Sequence, residues 1–281
     1  MPLEIKSDES PPAEPRDAAT VVLLRDASAA LEVFLVKRHR RSGFMASAHV
    51  FPGGVVEPFD ESADAPRDFH TRLGLDDSQR AGAFFVAAAR ETLEESGVLL
   101  GSGDAFAAMH ALNAGTPLDE VSQAHGVRFD LSRLAPLSRW VTPAVERRRY
   151  DTFFFLCEVN ANEEATFDGR ETVAGEWWSP EAALNAGDAG KILLAPPTHH
   201  TLLHLTAFRT AAEAIADSNT RVPPPLVAPI FAPRGPRNTP TLVLPGDPDH
   251  PESNALPGPV AYELVDGAWR AVPRPTPSAV R

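Results

Sequence analysis

Glu91, Glu94 and Glu95 stand at i, i+3 and i+4 within Arg90-Glu91-Thr92-Leu93-Glu94-Glu95-Ser96-Gly97-Val98. At about 100° per residue they share one face of a helix, with Val86, Ala89 and Leu93 on the opposite face. Carboxylates at this spacing repel one another by roughly 0.2–0.5 kcal/mol per exposed pair, and a bound divalent cation would reverse the sign. Taken alone, the stripe also describes a solvated acidic face with Arg90 paired to Glu94. Upstream, however, His49-Val50-Phe51-Pro52-Gly53-Gly54 runs an extended apolar segment into a Gly-Gly turn, a place where backbone can approach a ligand closely. Acidic side chains facing such a turn suit metal-assisted chemistry on an anionic substrate.

The elements that must hold these residues are legible around them. Asp76, Asp77 and Ser78 offer N-cap oxygens, the run from Ala81 to Glu95 contains no proline, and Gly97 supplies a left-handed terminator. Ala19 to Leu24 and Leu31 to Val36 are β-rich runs around a plausible hairpin turn at Arg25 to Ser28. Asp104 to Asn113 and Leu118 to His125 read as two short helices. Arg139 to Pro143 and Tyr150 to Val159 return to strand character. A helix is expected from His199 to about Asp217.

Gly54 with Arg90-Glu91-x-x-Glu94-Glu95-x-Gly97-Val98 resembles the signature of the Nudix hydrolases, which cleave nucleoside diphosphates linked to another group. The usual pattern is Gly, five residues, Glu, seven residues, then Arg-Glu-apolar-any-Glu-Glu-any-Gly-apolar. Here Thr92 stands at the apolar position, thirty-five residues separate Gly54 from Arg90, and Gly82 sits where the first Glu belongs. Such an interrupted box, with Gly43-Phe44-Met45 and Ala48-His49-Val50-Phe51 before Gly53-Gly54, is similar to the branch containing the animal acyl-coenzyme A diphosphatases.

The resemblance implies an α/β/α sandwich with a mixed sheet, on which the signature helix packs through Val86, Ala89 and Leu93. It also implies Mg²⁺ or Mn²⁺ held by Glu91, Glu94 and Glu95, and Arg90 orienting them through Glu94 or a neighbouring acid. Glu171, six residues before Trp177, occupies the place of a loop Glu that in some members completes the metal site or serves as base. The implied reaction is hydrolysis of a diphosphate, with coenzyme A or its thioesters giving 3′,5′-ADP and a phosphopantetheine. ADP-ribose or a dinucleotide is the rival substrate, and a Nudix-fold module that binds without catalysis is the alternative outside enzymology.

Two basic clusters could meet the phosphates, since guanidinium groups pair bidentately with their oxygens. One is Lys37 to Arg41, with Arg38, Arg40 and Arg41; the other follows Glu146 with Arg147, Arg148 and Arg149. Gly53, Gly54 and Phe44 complete the expected substrate contacts, with Met45 beside Phe44. Trp140, Trp177 and Trp178 could stack a purine or pack in the core.

At 281 residues and 43% hydrophobic composition, the chain can bury one large core. The expected organisation is a disordered leader over 1–17, a Nudix domain over 18–221 and a proline-rich, strand-containing extension over 222–281 packed on that domain. Residues 57–80 form an insertion expected to cover part of the site, and 103–135 a helical excursion. The net charge of −12 argues against nucleic acid or an anionic membrane as the main partner. A small nucleotide is expected instead, and a homodimer is a possible assembly. The single Cys157, the lack of a long apolar run and the ending Ala279-Val280-Arg281, which is not a peroxisomal address, lead us to expect a cytoplasmic protein.

Overall fold

The structure is a computed structural model that describes residues 11–28, 30–40, 46–61, 68–160, 163–169, 171–235, 238–253 and 257–272. In chain order the strands are β1 Arg16–Asp26, β2 Leu31–Arg38, β3 Ala48–Val50, β4 Gly53–Val55, β5 Gly101–Ser102, β6 Arg128–Phe129, β7 Ala135–Val141, β8 Tyr150–Glu158, β9 Thr172–Trp178 and β10 Leu193–Leu194. They continue with β11 Leu226–Val227, β12 Ile230–Phe231, β13 Thr241–Val243, β14 Ala261–Val265 and β15 Ala268–Val272. The helices are α1 Phe69–Leu73, α2 Ser78–Ser96, α3 Ala105–Asn113, α4 Leu118–His125, α5 Pro180–Asp188, α6 Pro196–Leu205 and α7 Ala211–Asn219. The first strand thus begins at Arg16, two residues before the expected boundary at 18.

Side-chain alternation explains why the main sheet is covered on both faces. In β1, β2 and β8, residues Ala19, Val21, Leu23, Phe34, Val36, Phe153, Phe155 and Cys157 pack toward α2, with Phe84 and Phe85 seated on the phenylalanines of β8. Their neighbours Val22, Leu24, Val33, Leu35, Phe154 and Leu156 pack the other way, into a core shared with α5, α6 and α7 and with Leu242, Leu244 and Tyr262 of the second sheet. The main sheet runs β10-β3-β2-β1-β8-β7-β11, with β4 also paired to β1 and β9 to β2; β1 and β8 are parallel. The expected α/β/α arrangement with a mixed sheet is present.

The hairpin β1–β2 pairs only near its turn, from Leu24↔Val33 to Asp26↔Leu31. Beyond Leu24 the strands part, and Pro52 and β4 enter the gap: Val21 N donates to Pro52 O, and Thr20 pairs with Gly53. This wedge delivers the Gly53-Gly54 turn to the C-terminal half of α2.

Asp77 caps α2 by accepting from the Gln79 and Arg80 amides, and Gly97 ends it at φ 70°. Its packing corrects one expectation. Ala89 faces the sheet, but Val86 and Leu93 face α3 and α4, in a separate core with Met109, Leu112 and Val121. The helix is walled on two sides because Ala81, Ala87 and Ala88 let it lie close to the sheet while larger side chains a third of a turn away meet the helical excursion. A second correction concerns 199–217, where two helices replace one. Thr210 accepts from the Glu213 amide as N-cap and Glu213 reaches back to accept from Arg209 N, so a new helix starts at Ala211. In the C-terminal region β12-β13-β14-β15 form an antiparallel sheet, joined to the rest by the Tyr262 hydroxyl at 3.1 Å from His199 Nδ1 and by Arg270 donating to Gly187 O and Asp188 O. Among the described residues no helix is long and apolar enough to cross a membrane.

Candidate active site

The C-terminal half of α2 turns Glu91, Glu94 and Glu95 toward the wedge. Gly53 N donates to Glu95 Oε2 at 3.1 Å. A Cβ built on Gly53 would lie 2.3 Å from Ala19 O, so only glycine fits there, and one on Gly54 would lie 2.5 Å from the Glu91 carboxylate, which would have to shift. The turn of the sheet therefore sits directly against the carboxylates of the helix.

Arg90 is the hub of the cluster and is 3% exposed. Its Nε and Nη2 donate to the two oxygens of Asp60, each at 2.8 Å, and Nη2 also donates to Val55 O at 3.0 Å. Nη1 donates to Glu91 Oε1 at 2.7 Å and Glu94 Oε1 at 3.2 Å. Asp60, fully buried, lies in a 3₁₀ turn, Pro58–Asp60, at the start of the insertion. The carboxylate missing at Gly82 is thus matched by one supplied from elsewhere. Our sequence reasoning left this acid unnamed. The available signal was the spacing from Gly54: after five intervening residues, Asp60 stands where the first half of the pattern has its acid.

The electrostatics follow from crowding. Burial, with Glu94 adding to it, pushes the Glu91 carboxyl up to about 7 against the pull of Arg90. Burial also raises Glu94, and burial followed by repulsion from Glu91 holds Glu95 well above the usual carboxylate range, opposed by the Arg38 charge and the Gly53 amide. Glu171 lines the same cavity as Glu94 and Glu95 and adds to the repulsion at both. Its loop is fixed by Asp168, which accepts from Glu171 N and from Thr172 N and Oγ1, and by His39 N donating to Glu171 O.

Hard carboxylate oxygens on a poorly compensated anionic cluster are the donor chemistry Mg²⁺ or Mn²⁺ takes, and Mg²⁺ needs only one or two of them because it keeps its waters. Among the described residues no three acidic, His or Cys side chains are already drawn into a cation cage. Arg90 occupies one oxygen each of Glu91 and Glu94, leaving their second oxygens for a ligand.

A cavity of about 450 Å³ opens from this cluster. It is lined at one end by Gly53, Gly54, Glu57, Glu91, Glu94, Glu95, Asp168, Glu171 and Arg38, and elsewhere by Phe51, Trp140, Phe154, Pro196, Pro197, Pro229, Leu242 and Trp269. Of the expected substrate residues, Arg38, Gly53 and Gly54 are gathered here, and Arg38 Nε is buried without a hydrogen-bond partner. Arg40 is exposed just beyond β2. Arg41 and Phe44, with Met45, lie outside the described residues. The second cluster behaves differently: Arg149 donates to Thr142 O and Ala13 O, while Arg147 and Arg148 are exposed and do not line the cavity. Trp140 reaches the cavity; Trp177 instead packs on Phe34 with Arg25 over its ring. In the insertion, Glu57 touches the cavity, whereas α1 stacks Phe69 on Phe85 of α2 at 3.9 Å.

Comparison with known proteins agrees with this geometry. Residues 76–205 match the model of the NUDT19 Nudix domain. The acyl-coenzyme A diphosphatase NUDT19 of Xenopus laevis is 31% identical over 229 residues, covering 63% of this chain and 60% of that protein. The corresponding protein of Gallus gallus is 33% identical over 232 residues, covering 63% and 61%. The chain therefore spans about 60% of the length of these curated relatives. Among solved structures, a NUDIX hydrolase from Alicyclobacillus acidocaldarius superposes with a TM-score of 0.62 at 30% identity, over 72% of this chain and 96% of that one.

Proposed function

The chain belongs to the Nudix hydrolase family, and from that premise we propose that it hydrolyses the diphosphate linkage of coenzyme A or its acyl thioesters, giving 3′,5′-ADP and an (acyl-)phosphopantetheine. The observation that carries this reading is the set of carboxylates on α2, Glu95 buried and Glu91 and Glu94 partly so, packed against a glycine turn and lining one cavity. The relatives' name, acyl-coenzyme A diphosphatase, supports the substrate class.

A diphosphate resists water because its anionic oxygens repel a nucleophile. Glu91, Glu94 and Glu95 would hold Mg²⁺ or Mn²⁺, which when bound neutralises that charge and lowers the pKa of an attacking water. Arg90, anchored on Asp60, keeps Glu91 and Glu94 from turning away. Gly53 and Gly54, having no side chains, let the carboxylates of Glu95 and Glu91 sit directly against the turn. Arg38, with its unpartnered Nε, is placed to pair with a phosphate at the cavity edge. Glu171, on its clamped loop, is the base we assign to take the proton of the attacking water.

A second reading, ADP-ribose or a dinucleotide, draws support from charge: Arg38 is the one cation among the described cavity residues, which suits a substrate with fewer phosphates. The two are separated by comparing coenzyme A, 3′-dephospho-coenzyme A and ADP-ribose with Mg²⁺, reading products by mass. A charge-assisted contact to the 3′-phosphate is worth roughly 1.5–3 kcal/mol, so kcat/KM for coenzyme A should exceed that for the dephospho form by at least about tenfold. A preference for ADP-ribose over both would replace the first reading by the second.

A further inference from the structure

Part of the cavity's apolar lining comes from a region that the matched family segment does not include. That segment ends at residue 205, whereas Pro229, Leu242 and Trp269 come from the C-terminal sheet. The sheet is no loose tail. Tyr262 is fully buried with its hydroxyl on His199 of α6, and Arg270 grips the end of α5. Trp269, next to Arg270 on β15 and paired with Leu264 of β14, lines the cavity together with Trp140 and Phe154.

Three features say what this end can accept. The described cavity lining carries seven carboxylates against the single cation Arg38, so a phosphate placed away from Arg38 and the metal-binding cluster would meet no countercharge. The start of α6 also faces the cavity, and a helix N-terminus is ordinarily an anion site because its first amides are free. Here those positions are Pro196 and Pro197, which have no N–H to offer. His200, edge-on to Trp140 at 5.6 Å between ring centres, is held neutral by burial, its pKa lowered to about 4. Ring faces and proline edges, with Thr198 as the hydroxyl-bearing residue in the first turn of α6, describe a site for an uncharged, largely apolar group.

We propose that Trp269 and Leu242 of the C-terminal sheet, with Trp140 and Phe154, form the subsite for the pantetheine and acyl arm of the substrate, leaving the phosphorylated nucleoside on the Arg38 side of the diphosphate. This rests on the coenzyme A reading above, and deepens it by orienting the substrate and assigning the extension a part in specificity.

The test measures binding rather than turnover, by calorimetric titration of the full chain with Mg²⁺ present, using octanoyl-phosphopantetheine and 3′,5′-ADP as probes. Trp269→Ala should weaken octanoyl-phosphopantetheine about tenfold, the loss expected from removing roughly 50–60 Å² of apolar contact, and change 3′,5′-ADP affinity less than twofold. Equal weakening of both probes, selective loss of 3′,5′-ADP, or no binding of octanoyl-phosphopantetheine to the parent protein would overturn the assignment. Should Trp269→Ala fail to fold, Trp269→Leu is measured with the same expectation at a threefold threshold. If the binding pattern holds but no coenzyme A thioester is hydrolysed, the activity reading fails and the subsite stands. If thioesters are hydrolysed and the probes ignore Trp269, the subsite fails alone.

Discussion

The two ends of the cleft solve opposite problems. At the α2 end, charge is buried where it repels itself, and the fold spends an arginine, an aspartate from an insertion and two glycines on holding it there. At the extension end, apolar surface stays open to the cavity and is held by contacts behind it. Free energy is stored as unfavourable electrostatics at one end and as exposed ring area at the other. Each is relieved by a different part of one ligand, the first by metal and diphosphate, the second by an uncharged arm. Mutations at the two ends should therefore fail in different ways.

The largest effect is expected at the carboxylate end. Glu95→Gln should lower kcat on the order of a hundredfold or more in saturating Mg²⁺, because it removes a charge placed to hold the metal. Stability without metal should hold or rise, since burial and Glu91 already oppose ionisation of Glu95. Thermal melts in EDTA with parallel kinetics test both halves; near-parental turnover would remove Glu95 from the metal site. Next comes Asp60→Ala, which strands Arg90 in a buried place. Breaking a buried ion pair costs about 3–5 kcal/mol, so the urea midpoint should drop sharply, and Asp60→Asn should recover part of the loss by keeping the shape. Unchanged unfolding in Asp60→Ala would mean that Glu91 and Glu94 suffice to hold Arg90.

The smallest effects separate the two basic clusters. Arg38→Gln should raise KM about tenfold with little change in melting temperature, consistent with one lost charge-assisted contact of roughly 1.5–3 kcal/mol. Arg149→Gln should do the reverse, lowering stability by about 1–3 kcal/mol while leaving KM alone, because its guanidinium serves the Thr142 and Ala13 carbonyls. A KM effect confined to Arg149→Gln would exchange their roles.

The carboxylate end was readable because its chemistry fixes residue types at helical spacing. Caps, carboxylate stripe and terminator of α2 lie within twenty-odd positions, and Asp77 and Gly97 behave as their types demand. The β1–β2 hairpin, α3, α4 and the Nudix architecture followed from equally local patterns. What stayed hidden was assembled over distance. No periodicity links Asp60 to Arg90, and none joins Trp140, Phe154, Leu242 and Trp269, where any large apolar side chain would satisfy the strand pattern. Val86 and Leu93 were assigned to the sheet because a helical wheel identifies an apolar face without naming the surface it meets. The break before α7 escapes the pattern for another reason: Thr210 is an N-cap lying inside an apolar pattern that otherwise continues.

The Arg90–Asp60 pair changes what the signature is as an object. Where the partner acid sits on the signature helix, the motif is a contiguous cassette that could be lifted out with its wiring intact. In this chain the circuit closes through a residue thirty positions upstream, at the start of the insertion. A fragment starting at residue 76, where the family match begins, would carry Glu91, Glu94 and Glu95 and still lack the group that sets Arg90. The box is spelled in one segment of the chain and made functional by another.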